Sequence, residues 1–409
     1  MKILFSHPTG NQNVRAALAG LEKQNILGHF STTVALFGDG ETSNSKILSE
    51  VYRRSYNKTL KDITSVRPFR EAGRLLSLKL KLRKLIQHEE GVFSIDAVIK
   101  DLDKSVSQKL SYYKQRRGIT SIYAYEDGAM ETFSSAKKKG IDCFYDLPIG
   151  YWRAARRLLE IEKDKWPDWV PTMSGFSDSE NKLLIKDKEI ELADKIFVAS
   201  SFTALTLAEY PGILPPVKVI PYGFPSVFSD KKFEILLNKK LKILFVGGLS
   251  QRKGLANLFA AVDMLKNHVE LTIVGQGNTS LCDALQKELV KHNWIPSLPH
   301  GEILSLMQAH DVFIFPSLFE GFGLVITEAM SQGLPVITTD RTVGPDFIRN
   351  DENGWIIKAG STEAIIEVVE KVLANKKMLT SVGKSAMETA TLRPWVKYGE
   401  DLAIALTDK

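Results

Sequence analysis

Cysteine is nearly absent from this chain: Cys143 and Cys282 are the only two among 409 residues. Neither lies in a Cys-x-x-Cys pair, so a secreted disulfide framework is excluded and a reducing compartment is expected. Both thiols read as buried apolar groups. Long apolar runs are missing too, and none reaches the length that spans a bilayer. Met1–Phe5 enters a strand-like segment without the charged and then apolar stretches of an export signal, which predicts a cytoplasmic, non-spanning protein. No grouping of His, Cys and carboxylates has metal-ligand spacing, so no metal is expected. Neither sign of charge dominates: 54 Lys and Arg stand against 48 Asp and Glu, a net of +6. That surplus suits an anionic small ligand or a membrane surface, and no nucleic-acid motif accompanies it.

What is present is the composition of a folded protein of two or three domains, 44% hydrophobic and 25% charged. The second half reads as short apolar strands alternating with helices, the pattern of a parallel sheet covered on both faces. Strands are expected at Leu241–Gly248, Glu270–Gly275, Asp311–Ser317 and Leu334–Asp340. Helices are expected near Leu255–Asn267, Ser280–His292 and Leu324–Gln332. The first half repeats the theme, with strands predicted at Ile119–Tyr125, Ile141–Leu147 and Lys195–Ala199. Lys2-Ile3-Leu4-Phe5 and Lys242-Ile243-Leu244-Phe245 open the two halves with the same four residues, a hint of two similar Rossmann-like units. The boundary is placed after Ile220–Gly223, giving domains at 1–225 and 226–391, with Lys231–Lys240 as linker. Arg70–Gln87 is basic and leucine-rich. It reads as a surface helix packed on the first domain or as a membrane-surface helix drawn to anionic lipid, and Leu78–Leu82 also permits a strand.

The chemistry concentrates in Phe315-Pro316-Ser317-Leu318-Phe319-Glu320-Gly321-Phe322-Gly323-Leu324, continuing through Glu328. A strand, a glycine-bearing loop and a helix follow one another, and ligands of open α/β sheets bind beyond the carboxyl ends of the strands. Glu320 lies in the loop and Glu328 about one turn into the helix, within reach of one cleft. Free N–H groups at the helix start favour an anion. A sugar nucleotide suits this set: phosphates for the helix end, hydroxyls for the carboxylates. Gly247-Gly248-Leu249-Ser250-Gln251-Arg252-Lys253-Gly254 adds two cations where a diphosphate would lie, aimed at the charge that builds on a departing phosphate.

Glu320 and Glu328 are the only glutamates eight apart, and with FPSLFEGFGLVITEAMSQGLPVITTD around them the chain resembles the retaining glycosyltransferases of family 4. The Arg252-Lys253-Gly254 turn, Ile220–Gly223 and Asn353-Gly354 fit as well. The resemblance covers residues 195–375 well and the first 190 poorly. It implies the α/β GT-B fold, two Rossmann-like domains with parallel sheets facing across a cleft, and a terminal helix, about 392–409, returning to the first. It implies that Glu328 binds the nucleotide ribose, that Glu320 meets the donor sugar near its reacting carbon, and that Lys253 holds the diphosphate. The amides of Phe322 and Gly323, after Gly321, would touch sugar and phosphate. Transfer would retain the anomeric configuration, without metal or other cofactor, from a donor linked to UDP rather than GDP. The acceptor would be a saccharide, glycolipid or glycoprotein.

Three positions depart from the family. Gly248 stands where an arginine is usual, leaving Arg252 as its substitute. Pro8-Thr9-Gly10-Asn11 replaces a Gly-Gly loop, with Gly10 and Asn11 either nearing the donor or forming a plain strand–helix turn. Tyr145-Asp146-Leu147-Pro148 replaces a His-Asp pair. His7 and Asp146 are acceptor-side candidates. Asp101-Leu102-Asp103 reads as a solvated face or helix start. The alternatives are a GT-B phosphorylase or sugar-nucleotide epimerase, and a non-catalytic binding subunit.

Overall fold

Short apolar runs, each ended by a polar or glycine-bearing turn, assemble into two parallel sheets. The structure is a computed structural model, and it describes residues 1–38, 54–173, 178–231, 233, 239–277 and 279–408. In chain order the strands of the first half are β1 (Ile3–Ser6), β2 (Leu27–Thr32), β3 (Leu36–Phe37), β4 (Ser55–Tyr56), β5 (Thr64–Val66), β6 (Ser121–Tyr125), β7 (Asp142–Leu147), β8 (Lys195–Val198) and β9 (Val217–Val219). The second half supplies β10 (Leu241–Val246), β11 (Val269–Val274), β12 (Asn293–Ile295), β13 (Val312–Phe315), β14 (Val336–Thr339) and β15 (Trp355–Ile357).

One sheet runs β5-β2-β1-β6-β7-β8-β9 and the other β12-β11-β10-β13-β14-β15, with β3 and β4 paired apart from both. Counted within each sheet, both follow the doubly wound order and reverse direction between the first and fourth strands. The repeated Lys-Ile-Leu-Phe therefore marks corresponding strands, β1 and β10. The carboxyl edges of the sheets meet. Ser200 and Thr203, just past β8, both donate to the Gly321 carbonyl past β13, at 2.6 and 2.9 Å. Ser201 N–H donates to Asp346, past β14. Phe319 packs edge-on against Phe202, 5.5 Å between ring centres.

Two segments tie the lobes together elsewhere. The Trp152–Lys165 helix and the turn after it lean on the second lobe: Thr172 Oγ1 accepts from Gln251 N–H, and Trp169 stacks on Phe259 at 5.7 Å. The Trp395–Thr407 helix returns to the first lobe and lies along Gln12–Lys23. That crossing is close enough that a Cβ on Gly20 would sit 2.0 Å from the Gly399 carbonyl oxygen.

Several local expectations are corrected. Leu78–Leu82 is no strand; the Pro68–Lys79 helix runs into it and stops at Leu80. Asp101 and Asp103 lie inside the Ile95–Arg117 helix rather than at its start, because Ser94 is the cap. Asp103 is buried, and its carboxylate accepts from the N–H groups of Glu131 and Thr132, capping the next helix. The strand before Pro221 ends at Val219, and the polar helix after β11 is confined to Asp283–Leu289. Most of the expected linker Lys231–Lys240 lies outside the described residues.

Candidate functional site

The turn after β10 and the loop after β13 flank the point where the second sheet reverses, and hydrogen bonds knit them together. Leu318 N–H and Ser317 Oγ both donate to the Arg252 carbonyl, at 2.8 and 3.1 Å. Gly254 makes the contact feasible: its φ of +73° suits glycine, and a Cβ there would lie 2.0 Å from the Pro316 carbonyl oxygen. Gln251 is wholly buried, clamped by Thr172, Glu162, Asn257 and Ala256. Arg252 and Lys253 are thereby fixed at the sheet edge.

Their side chains converge on Glu320. Its Oε1 accepts from Lys253 Nζ, from Arg252 Nη1 at 3.1 Å and from Ser317 Oγ at 2.8 Å. Arg252 Nη1 also donates to the Phe319 carbonyl at 2.6 Å. Glu320 is buried, and Lys253 nearly so, over the Phe315 ring. Burial lowers the Lys253 ammonium below its usual range, while the Glu320 charge opposes that shift. Two cations against one carboxylate leave the cluster positive.

The next three residues present backbone donors. Gly321 and Phe322 are buried, yet among the described residues the N–H groups of Gly321, Phe322 and Gly323 find no acceptor. Buried N–H groups are normally paired, so those of Gly321 and Phe322, followed by that of half-buried Gly323, mark a place for an acceptor from outside the chain. Gly321 itself is pressed against Pro148 of the first lobe, where a Cβ would fall 1.9 Å from the carbonyl oxygen. Glu328, in the Leu324–Ser331 helix, stands apart from the cluster. It lies 3.1 Å from His300 Nε2, and among the described residues nothing bonds it to Glu320, Arg252 or Lys253. Gly248 is exposed, with open space where a side chain would go.

On the first lobe, His7 follows β1 and Asp146 lies in β7 near its carboxyl end. His7 is buried against Tyr125, accepts from Thr9 N–H at 3.1 Å, and is pushed down to about 4 by burial, so it is neutral near pH 7. Asp146 is buried and bonded to the Tyr123 hydroxyl; burial pushes its carboxyl up to about 7, against the pull of that hydroxyl. Asn11 caps the Gln12–Lys23 helix through Val14 N–H, and Gly10 lies in the preceding turn. These residues share an edge with the cleft but make no hydrogen bond to Glu320 or Lys253 among the described residues. Tyr222, packed 4.9 Å from Phe322, spans part of the gap.

Sequence reasoning missed Gln251 as the clamp, Ser200 and Thr203 as partners of Gly321, and His300 beside Glu328. Ser200, Thr203 and His300 are brought in by distant elements, and Gln251, within the turn itself, takes its role from distant partners, so no local spacing announces them. His88, Glu89 and Asp178 also gather with metal-ligand closeness that spacing does not reveal. Their oxygens are already engaged: Asp178 by Lys182 at 3.1 Å and Glu89 by Ser179.

Residues 227–389, under half of the chain, match the family described as glycosyl transferases group 1. The capsular polysaccharide biosynthesis glycosyltransferase CapM of Staphylococcus aureus is 29% identical over 160 residues, 38% of this chain and 42% of CapM. The chain thus spans less than half the length of that curated relative. Among solved structures, sucrose-phosphate synthase from Thermosynechococcus elongatus superposes with a TM-score of 0.64 at 16% identity, over 99% of this chain and 97% of that one. HepE of Anabaena, in complex with UDP-glucose, gives 0.63 at 16%, over 100% and 99%. The fold is GT-B.

Proposed function

We propose that the chain is a retaining glycosyltransferase that takes a nucleotide diphosphate sugar, UDP-linked rather than GDP-linked, at the Glu320 cluster. The acceptor, a saccharide or a lipid- or protein-linked glycan, would lie against the first lobe. The observation that carries this reading is the junction of Glu320, Arg252 and Lys253 with three unpaired N–H groups, at the reversal point of the second sheet and facing the other lobe. A net positive site with backbone donors suits a diphosphate. When the bond from the anomeric carbon to the phosphate oxygen breaks, negative charge gathers on the diphosphate. Lys253 and Arg252 lie where they would stabilise that charge, and fixed cations in a half-buried site need little reorganisation. The acceptor oxygen bonds to the same carbon on the same face, and its proton passes to the departing phosphate oxygen. Glu320 accepts from sugar hydroxyls and Glu328 from the ribose. CapM's assignment to capsular polysaccharide synthesis supports a saccharide-type acceptor, and HepE's UDP-glucose complex supports a UDP donor.

The test is a thermal-shift comparison of UDP with GDP, followed by a nucleotide-release assay and NMR assignment of the product anomer. UDP is expected to raise Tm more than GDP at equal concentration, and the product to keep the donor's configuration. An inverted product, or the same donor affinity and rate in Glu320→Ala, Lys253→Ala and wild-type protein, ends the proposal.

Gly248 favours a second reading, a binding subunit without turnover, because the usual arginine is missing there and, among the described residues, open space stands where its side chain would begin. Gly248→Arg has room to be built, so it is expected to leave Tm unchanged. Under this reading wild type releases no nucleotide with any acceptor and Gly248→Arg gains activity. Turnover by wild type rejects it.

A further inference from the structure

The Pro68–Lys79 helix is inside out. Its buried residues are Glu71 and Ser77. Glu71 is wholly buried, bonded to Arg54 and accepting two hydrogen bonds from Arg74 at 2.7 Å each. The large apolar side chains face outward: Phe69 is 75% exposed, Leu76 57%, Leu80 56% and Leu82 44%. With about 3.6 residues per turn, Phe69, Leu76 and Leu80 form one stripe opposite the buried ion pairs. A helix packed on its own domain turns its leucines in. Here the inward face is held by charge, and the leucines of the outward face stay largely exposed, with Phe69 meeting another ring, that of Phe93, edge-on at 6.1 Å.

Cations accompany that face. Lys79, Lys81, Arg83 and Lys84 are exposed and form no ion pair among the described residues. The nearby acids are taken: Glu71 as above, and Asp101 by Arg67 at 2.9 Å and Arg70 at 3.8 Å. Lysine or arginine alternates with leucine from Leu78 to Leu82, so each apolar side chain has a cation beside it. The segment also has a definite place. It follows β5 at the carboxyl edge of the first sheet, where Arg67 N–H donates to the Thr32 carbonyl at 2.9 Å, and that edge faces the cleft.

We propose that Phe69, Leu76, Leu80 and Leu82 insert into the surface of an anionic lipid bilayer while Lys79, Lys81, Arg83 and Lys84 bind its headgroups. Charge complementarity selects this occupant. A surface apolar just beneath an anionic layer satisfies both halves of the face. Nucleic acid would satisfy the cations and leave the leucines in water.

Vesicle co-sedimentation tests it with the full chain. Binding to vesicles of phosphatidylcholine mixed with phosphatidylglycerol is expected to exceed binding to pure phosphatidylcholine by about tenfold or more, and to fall with added salt. Leu76→Ser with Leu80→Ser should weaken it roughly tenfold or more, as should Lys81→Glu with Lys84→Glu. The substituted side chains are exposed, so circular dichroism and Tm should stay at wild-type values. Failure of wild type to sediment with the anionic vesicles overturns the proposal, as does equal sedimentation by the leucine double variant. Dimers in sedimentation velocity that this variant abolishes, without vesicle binding, would assign the face to a second copy instead. Lipid binding is read without turnover, so failure here leaves the proposed reaction standing.

Discussion

At the scale of single residues, Lys253 and Glu328 should separate in kinetics. If Lys253 holds the diphosphate as proposed, it stabilises the departing charge more than the bound donor, so Lys253→Ala is expected to lower kcat by roughly 10²-fold. In the proposed complex Glu328 would hold a ribose whose contacts do not change during transfer. Glu328→Ala should therefore raise the donor KM by about tenfold and alter kcat less. Initial rates over a donor series measure both, and equal loss of kcat in the two variants would contradict the roles. Asp146 gives a prediction about stability. Its folded pKa is raised from 3.8 to about 7, so the native state holds a proton that the unfolded chain releases near pH 4. Its contribution is present in full below pH 4 and is lost as pH rises to about 7. Asp146→Asn can still accept from Tyr123 and never ionises. Relative to wild type it should gain on the order of 3 kcal/mol between pH 4 and 7, and nothing further above that. Urea midpoints at a series of pH values check this, and a constant difference would refute it.

At the scale of elements, the helix crossing at Gly20 and Gly399 is the least tolerant contact described. A Cβ on Gly399 would sit 2.2 Å from the Ala16 carbonyl oxygen, a backbone atom that no rotamer change can move. Gly399→Ala is expected to cost about 1–3 kcal/mol in denaturant unfolding, whereas exposed Gly301 should accept alanine freely. The elements also show where sequence pattern carries information. β10, β11 and β13 were legible because almost every residue is apolar and turn residues end each run. β2 was not, since its six buried residues include His29, Ser31 and Thr32. His29 and Ser31 are tolerated because Ser65, on β5, bonds to them at 3.0 Å and 3.1 Å. β5 and β9, three residues each, are too short for periodicity to register. The site followed the same rule. Glu320, Arg252 and Lys253 could be named because each lies in a strand–turn–helix unit of recognisable form. Gln251, a neutral residue beside two cations, gave no sign that contacts with Glu162 and Thr172 hold the whole turn.

At the scale of the molecule, the lobes meet through the loop that carries Glu320. Ser200→Ala with Thr203→Ala would strip the Gly321 carbonyl of both its described donors. Expected are a loss of about 1–3 kcal/mol and a larger radius of gyration in solution scattering, while an unchanged radius would show that other contacts hold the lobes. The connections between lobes lie side by side. Phe224 N–H donates to the Arg393 carbonyl at 2.8 Å, and Arg393 Nη2 donates to the Pro221 carbonyl at 2.6 Å. A Cβ on Gly223 would fall 2.5 Å from Trp395 Cα. Two crossings fastened at one place act as a door hinge. Were the Thr172–Gln251 and Gly321 contacts to part, the lobes would swing about that axis rather than slide, and every approach between the carboxyl edges would retrace one arc.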